Sequence, residues 1–392
     1  MIAEKALVLT KSGWRNVADV NVGDELATLN GEGFLVYHPV TEVKKENYDG
    51  HAVRFHGKNL EQLTTPDHRF LLENRQGKQF YSTSGELLKY RSNKWKVLKK
   101  CKWVGEEMET FKLDGATISN RAPEDLRDAY SKDVEIPAEV WFRFMGWYLS
   151  EGYAVGTAGS KTKAYRVHIA QVKDGDNKQE IRDTMMAMPF ETYREHTSDG
   201  RSIQFVITDA RLHGYLLPLG HSHVKYVPKE LKQVPIHLLK LMFDAFMRGD
   251  GRDVTQGDKG QYKKQSVFST SRQLVYDMQE ILMKMGGSGN ISEWQPKDRV
   301  INEWKDVVEE VDNGSEMVEV VTRNKVTREI KAENSHLQFN LNVASTEYIY
   351  LDNRMMSVDK VRHKGMMYDF KTEQGNYCVM YNYKVHWIGG ME

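Results

Sequence analysis

The sequence predicts an α+β protein in which an all-β domain is split by an inserted domain of mixed helices and strands. Three observations predict this. Short, turn-punctuated strand patterns occupy both ends of the chain, helical periodicity takes over in the middle, and within that middle one helix ending occurs twice. At 392 residues the chain has length for two or three domains and for a substantial core.

Residues 1–105 read as strands broken by turns: ALVLT, then Lys11-Ser12-Gly13, then WRNVADV, Gly23-Asp24, ELATLN and Gly31-Glu32-Gly33. Residues 106–133 are assigned as a linker. The insert spans 134–344. It opens with EVWFRFMGWYLSE, whose apolar residues recur at three- and four-residue intervals, as a buried helix requires. In YRVHIAQ, Tyr165, Val167 and Ile169 alternate with Arg166, His168 and Ala170, so a strand with one buried face follows. A helix over Asp176–Met188, a strand over Ser202–Thr208 and a second apolar helix, IHLLKLMFDAFMRGDG, come next. A strand, QSVFSTS, and a helix, SRQLVYDMQEILMKMG, continue the pattern. Residues 345–392 return to short strands, EYIYL, VDKVRH, MYDFKT, NYCVMYN and YKVHWI. A domain interrupted at a surface turn produces this order.

Hydrophobic residues at 40% and charged residues at 28% place the chain among folded globular proteins. Cys101 and Cys378 lie far apart, with neither zinc-ligand nor disulfide spacing, which fits a reducing cytosol. The N-terminal residues show no cationic-then-apolar leader, and no run reaches about 18 apolar residues, so neither export nor membrane insertion is expected. A cytoplasmic location in a bacterial or phage-infected cell follows as the expectation. Lys plus Arg and Asp plus Glu each total 55, so whole-chain charge does not itself indicate nucleic acid. Charge is local instead: KYRSNKWKVLKKCK, residues 89–102, is basic, and Asp306–Glu319 is acidic.

The repeated ending is FMGWYLSEG, residues 144–152, and FDAFMRGDG, residues 243–251. Each apolar helix closes on a carboxylate followed by glycine. Taken singly, an acid-glycine pair is most simply a helix stop. Two copies in matched context suggest that Glu151 and Asp250 converge at the tips of neighbouring helices, where Mg²⁺ or Mn²⁺ could be held by two carboxylates and a substrate phosphate.

The pair resembles the signature of two-motif LAGLIDADG homing endonucleases. HVKYVPKEL, residues 223–231, and VFSTSRQLVYDMQEILMKMG, residues 267–286, resemble the flanking blocks of such enzymes inside inteins. The resemblance implies two αββαββα repeats about a pseudo-twofold axis, with a saddle of strands over double-stranded DNA. It implies that Glu151 and Asp250 bind metal and act in catalysis, with glutamate replacing aspartate in the first motif, and that Lys225 orders the attacking water. The plainer reading of Lys225 is a solvated surface lysine. The second lysine of such a site has no clear match, since residues 291–344 fit the repeat poorly; Lys325 and Lys331 are the candidates. Arg166, His168, Gln171 and Lys173 are the expected DNA-binding residues, although an open strand face carries the same residue types without any partner.

The two ends resemble a Hint domain. LVLTKSGWRNVADVNVGDELAT, residues 7–28, is similar to its first block. TTPDHRFL, residues 64–71, holds the Thr65-x-x-His68 pattern, and MYDFKTEQGNYCVMYNYKVHW, residues 367–387, is similar to its closing blocks. Splicing needs a nucleophile at the first position, a His-Asn ending and a following nucleophile. Here those places hold Met1, His386-Trp387 and Ile388, so a splicing-inactive relic is expected, with Thr65 and His68 as ordinary turn residues. The combined expectation is a metal-dependent, site-specific endonuclease that acts as a monomer, since both motifs lie in one chain. The alternatives are a catalytically inactive DNA- or RNA-binding relic or maturase, and an intein with altered terminal splice residues.

Overall fold

The computed structural model describes residues 1–155, 165–172, 175–198, 202–255, 263–312, 317–344, 347–351 and 356–392. The protein is a mixed α/β structure built mostly of strands. Three sheets each combine strands from both ends of the chain. Ile2–Ala3, Met356–Lys371, Glu42–Gly57 and Glu61–Thr64 close into a small barrel. Asn376–Tyr381 and Lys384–Gly389 add to the sheet of Leu7–Thr10, Glu25–Leu29 and Leu35–Pro39. Tyr348–Tyr350 pairs with Lys96–Leu98 beside Arg69–Glu73 and Gln79–Thr83. Alternation explains the burial: in Glu42–Gly57, Val53 and Phe55 are buried while Arg54 and His56 are exposed.

Residues 106–133, expected as a linker, hold packed elements. Thr110–Leu113 pairs antiparallel with Val134–Pro137, a helix spans Glu124–Ser131, and Phe111 stacks on Trp141 at 4.3 Å.

The middle of the chain contains two similar layered units. Helix α1 (Ala138–Glu151) leads into strands β1 (Gly152–Ala154), β2 (Arg166–Val172), β3 (Arg194–Ser198) and β4 (Ser202–Thr208), ordered β1-β2-β4-β3. Helix α2 (Ile236–Asp250) leads into β5 (Gly251–Thr255) and β6 (Lys263–Ser269), followed by helix α3 (Arg272–Lys284). Strands β7 (Ser288–Trp294) and β8 (Gln338–Ala344) then complete the order β5-β6-β8-β7. The first unit follows αββαββα, with further helices at Lys178–Ala187 and Ala210–Leu216. The second departs from it. A two-stranded ribbon, Arg299–Asp312 against Met317–Ile330, is inserted between β7 and β8, which is why residues 291–344 match the repeat poorly.

Both α1 and α2 begin after a proline, which cannot donate to a helix and tolerates its first turn. Their apolar faces are buried through Trp141, Phe144, Met145, Tyr148, Leu239, Met242 and Phe246, so the helices lie in the core. That core runs without a break into the terminal sheets through Leu9, Trp14, Cys378 and Trp387. Among the described residues, no helix is long and apolar enough to cross a membrane.

Candidate active site

Small residues bring α1 and α2 together. Gly146 and Ser150 on α1 face Ala245 and Gly249 on α2, each pair four apart and hence on one helix face. A Cβ placed on Gly146 would fall 2.4 Å from the Met242 carbonyl oxygen and 2.6 Å from Ala245 Cβ. A Cβ on Gly249 would fall 2.3 Å from Ser150 Oγ and 3.2 Å from Glu151 Cγ. Side chains at these positions would force the backbones apart, and with them the helix ends carrying Glu151 and Asp250.

The glycines that follow the acids serve space, not left-handed geometry. Gly152 and Gly251 have φ of −96° and −105°. Added Cβ atoms there would meet Tyr148 Cδ2 at 2.5 Å and the Met247 carbonyl oxygen at 2.1 Å, so each strand starts by folding tightly against its own helix.

Glu151 and Asp250 are therefore partly buried neighbours. Burial pushes the Asp250 carboxyl up to about 7, and the charge of Glu151 pushes the same way. Burial also raises Glu151, while Lys225 opposes the shift in both acids. Two acids pressed together in this way lack positive charge.

Lys225 does not supply it fully. The residue is 2% exposed, and its ammonium donates to the carbonyl oxygens of Tyr148 at 2.7 Å, Leu149 at 3.2 Å and Gly152 at 2.6 Å. Those contacts take all three donors and cap the C-terminal turn of α1, so Lys225 is a positioning residue here and not a solvated surface lysine. Burial lowers its pKa to about 8. Lys325 and Lys331 are elsewhere: Lys325 is exposed on the ribbon, and exposed Lys331 pairs with Glu329 at 2.7 Å.

The two four-stranded sheets each turn one face outward from the helices. In β2, Val167 and Ile169 are buried, while Arg166 and His168 point outward, as alternation requires. Gln171 shares the parity of Val167 and Ile169 and so lies on the opposite face from Arg166, against the expectation; Lys173 falls outside the described residues. Register adds neighbours that no linear pattern indicated. Tyr153 pairs with His168 and stacks on its ring at 4.7 Å, while Arg194 and His196 sit across from Val206 and Gln204. Burial, and after it nearby Arg166, lower the His168 pKa.

The sequence matches no protein-family model. One curated protein, the ATP-dependent Clp protease proteolytic subunit of Chlamydomonas moewusii, is 23% identical over 300 residues, or 72% of this chain; the match spans 28% of that protein. Among solved structures, I-DmoI in complex with DNA and Ca is similar at 12% identity with a TM-score of 0.33, covering 53% of this chain and 83% of that one. The homing endonuclease I-WcaI bound to its DNA recognition sequence gives 12% identity and a TM-score of 0.30, over 45% of this chain and 79% of that one. A splice-inactive variant of the AceL NrdHF class 3 split intein gives 15% identity and a TM-score of 0.23, over 35% and 76%.

The terminal sheets bury a second polar cluster. His68 Nδ1 lies 3.0 Å from Asp369 Oδ2, whose other oxygen accepts from the Tyr377 hydroxyl at 3.0 Å. Despite burial, His68 and other nearby positive charge hold the Asp369 carboxyl at about 2. Burial lowers the His68 pKa, and with Asp369 ionised the Nδ1 hydrogen is the donor in their hydrogen bond. Thr65 Oγ1 accepts from the Met1 amino group at 2.7 Å. Thr65 and His68 are thus members of a buried network rather than an ordinary exposed turn, and Asp369, which no motif indicated, is its centre. His386 is fully buried against Phe70 at 6.1 Å, with its pKa lowered to about 3, and Trp387 is fully buried beside it.

In the basic stretch 89–102 at least two of the seven cations are paired with acids. Lys96 pairs with Glu73, Lys100 with Glu347, Lys102 lies over the Phe34 ring, and Lys99 is buried.

Proposed function

We propose that the protein is a divalent-metal-dependent endonuclease acting on double-stranded DNA, with Glu151 and Asp250 as metal-binding catalytic acids. The observation that carries this reading is the placement of two partly buried carboxylates on the adjoining tips of α1 and α2, where each raises a need for positive charge that Lys225 leaves unmet. The donor set fits Mg²⁺ or Mn²⁺. Both ligands are hard oxygens, and among the described residues no third His, Cys, Asp or Glu completes a protein cage, which leaves room for substrate phosphate.

A bound ion of this kind supplies an acidified water and charge neutralisation at phosphorus. The chain's own residues do the rest. Gly146 and Gly249 set the spacing of the acids, Lys225 fixes the end of α1, and Arg166, Arg194 and His196 offer an outward face with positive charge and base-reading donors to a duplex, with the His168 ring covered by Tyr153. The terminal β sheets form a Hint-like body without splicing chemistry, because the places of the cyclising asparagine and the accepting nucleophile hold Trp387 and Ile388, both fully buried.

The test is incubation of a random-sequence duplex library with Mg²⁺ or Mn²⁺, comparing the native chain with Glu151→Gln and Asp250→Asn, alongside Mn²⁺ binding by calorimetry. The native chain is expected to cut and to bind Mn²⁺, and each variant to lose both. Equal cutting by all three proteins, or no Mn²⁺ binding by the native chain, refutes the assignment.

A further inference from the structure

We propose that Asn177 is a positioning residue for Asp250, crossing from the first layered unit to hold the end of α2 in the second. The inference rests on the metal-binding reading above and deepens it by assigning the residue that fixes the second acid.

Lys225 spends its three donors on the end of α1, so the end of α2 needs support of its own. An α-helix leaves its last four carbonyls without partners inside the helix. The carbonyl of Arg248, two residues before Asp250, is one of these, and Asn177 Nδ2 donates to it at 2.9 Å. A second contact runs alongside. The Arg248 guanidinium pairs with Glu180, in the first turn of the helix Lys178–Ala187 that Asn177 opens. The backbone and the side chain of one residue in the last turn of α2 are thus both gripped by the start of that helix.

Asn177 does this in place of its ordinary task. It stands at the N-cap of Lys178–Ala187, where asparagine normally accepts from an amide of its own first turn. Here its side chain makes no cap hydrogen bond, and its backbone, with φ −79° and ψ −9°, is helical where a cap is extended. A residue suited to capping that forgoes its own helix and bonds another, 71 residues along the chain, answers a demand from that second helix.

The second unit makes the reciprocal contact. Helix α3 holds the place there that Lys178–Ala187 holds in the first unit, and its N-cap is Ser271. Ser271 Oγ accepts from the Leu274 amide at 3.2 Å and donates to the Lys225 carbonyl at 2.6 Å. Each middle helix therefore uses its N-cap to brace the acid-bearing helix of the other unit, directly for α2 and through Lys225 for α1. The braces differ in charge. The end of α1 meets an ammonium, whereas the end of α2 meets a neutral amide, with the charge of Arg248 already matched by Glu180. Asn177 fixes where Asp250 sits without neutralising it, which leaves the acid's charge to a bound cation.

The experiment measures Mn²⁺ binding to the full chain by calorimetry, for the native protein, Asn177→Ser and Asn177→Gln. Serine caps a helix as well as asparagine does but is too short to reach the Arg248 carbonyl; glutamine keeps the amide donor and is the poorer cap. Asn177→Ser should weaken Mn²⁺ binding about tenfold or more, the usual effect of losing a group that orients a metal ligand, and Asn177→Gln should stay near the native affinity. Urea unfolding with EDTA present should give all three proteins the same midpoint, since Asn177 is partly exposed and caps nothing. Native affinity in Asn177→Ser overturns the assignment. So does equal weakening in both variants, or a midpoint that falls in step with affinity, because either result marks a residue that only starts its helix. In each of these cases Mn²⁺ binding by the native chain leaves the metal reading standing, and its absence overturns both.

Discussion

Replacing Asp250 by asparagine should stabilise the metal-free protein, and should do so only as pH rises. The Asp250 carboxyl sits at about 7 in the folded chain against an ordinary value of 3.8, raised first by burial and then by Glu151. Its folded pKa lies above its unfolded one, so between about pH 4 and pH 7 the folded state holds a proton that the unfolded state has released. Stability contributed by this group therefore falls as pH rises through that window and stays low above it. At about 1.4 kcal/mol per unit the full shift corresponds to about 4 kcal/mol, which residual solvent contact reduces to about 2 kcal/mol. Urea unfolding with EDTA present, at about pH 4 and about pH 8, measures the difference directly. Asparagine should give a gain of about 2 kcal/mol at the higher pH, little at the lower, and no rescue by Mn²⁺, whereas Mn²⁺ should restore the native chain. A variant that is destabilised equally at both values would show that Asp250 is not under electrostatic pressure, and the argument from charge for a cation at this place would fail.

Two further substitutions test the packing around the site. Gly146→Ala puts a methyl into the Met242 carbonyl, so urea unfolding should show a loss of about 2 kcal/mol together with weaker Mn²⁺ binding; unchanged binding would separate helix spacing from the acids. Glu280→Gln leaves buried Lys284 with no carboxylate partner and Lys232 with Asp277 alone, and should cost about 3–5 kcal/mol by the same measurement; a loss under about 1 kcal/mol would mean water reaches the cluster.

The sequence made the two acid-tipped helices legible because apolar spacing and an acid-glycine ending are local signals. The alternation in β2 likewise pointed Arg166 and His168 the right way. Gln171 lies on the other face because the strand's own period puts it with Val167 and Ile169, and its residue type carries no information about parity. What remained hidden depends on pairing across the chain. Arg194 and His196 lie in REHTS, a polar strand with no buried alternation of its own, and only its ladder with β4 puts them on the outward face. Asp369 meets His68 from 301 residues away. The ribbon between β7 and β8 has no counterpart in the first repeat, so the symmetry that located Asp250 could not locate it.

The geometry of the acids depends on more than their own helices. Lys225, which caps α1, is itself held by α3: Ser271 Oγ donates to its carbonyl at 2.6 Å, and Asp277 Oδ2 accepts from the Val227 amide at 2.9 Å. Asp277 in turn bonds Lys232, which shares Glu280 with Lys284 in a fully buried set of two cations and two anions. The terminal β body closes over that set. A Cβ on Gly13 would lie 3.0 Å from Lys232 Nζ, and the Trp103 ring packs 4.3 Å from Lys284 Nζ while its indole donates to the Val234 carbonyl at 2.9 Å. Exposed to water these four charges would hold α3 only weakly; sealed, they fix one arrangement because any shift leaves a buried charge unpaired. The terminal body therefore acts on the acid pair through α3 and Lys225, so retaining it makes physical sense whether or not it carries chemistry of its own.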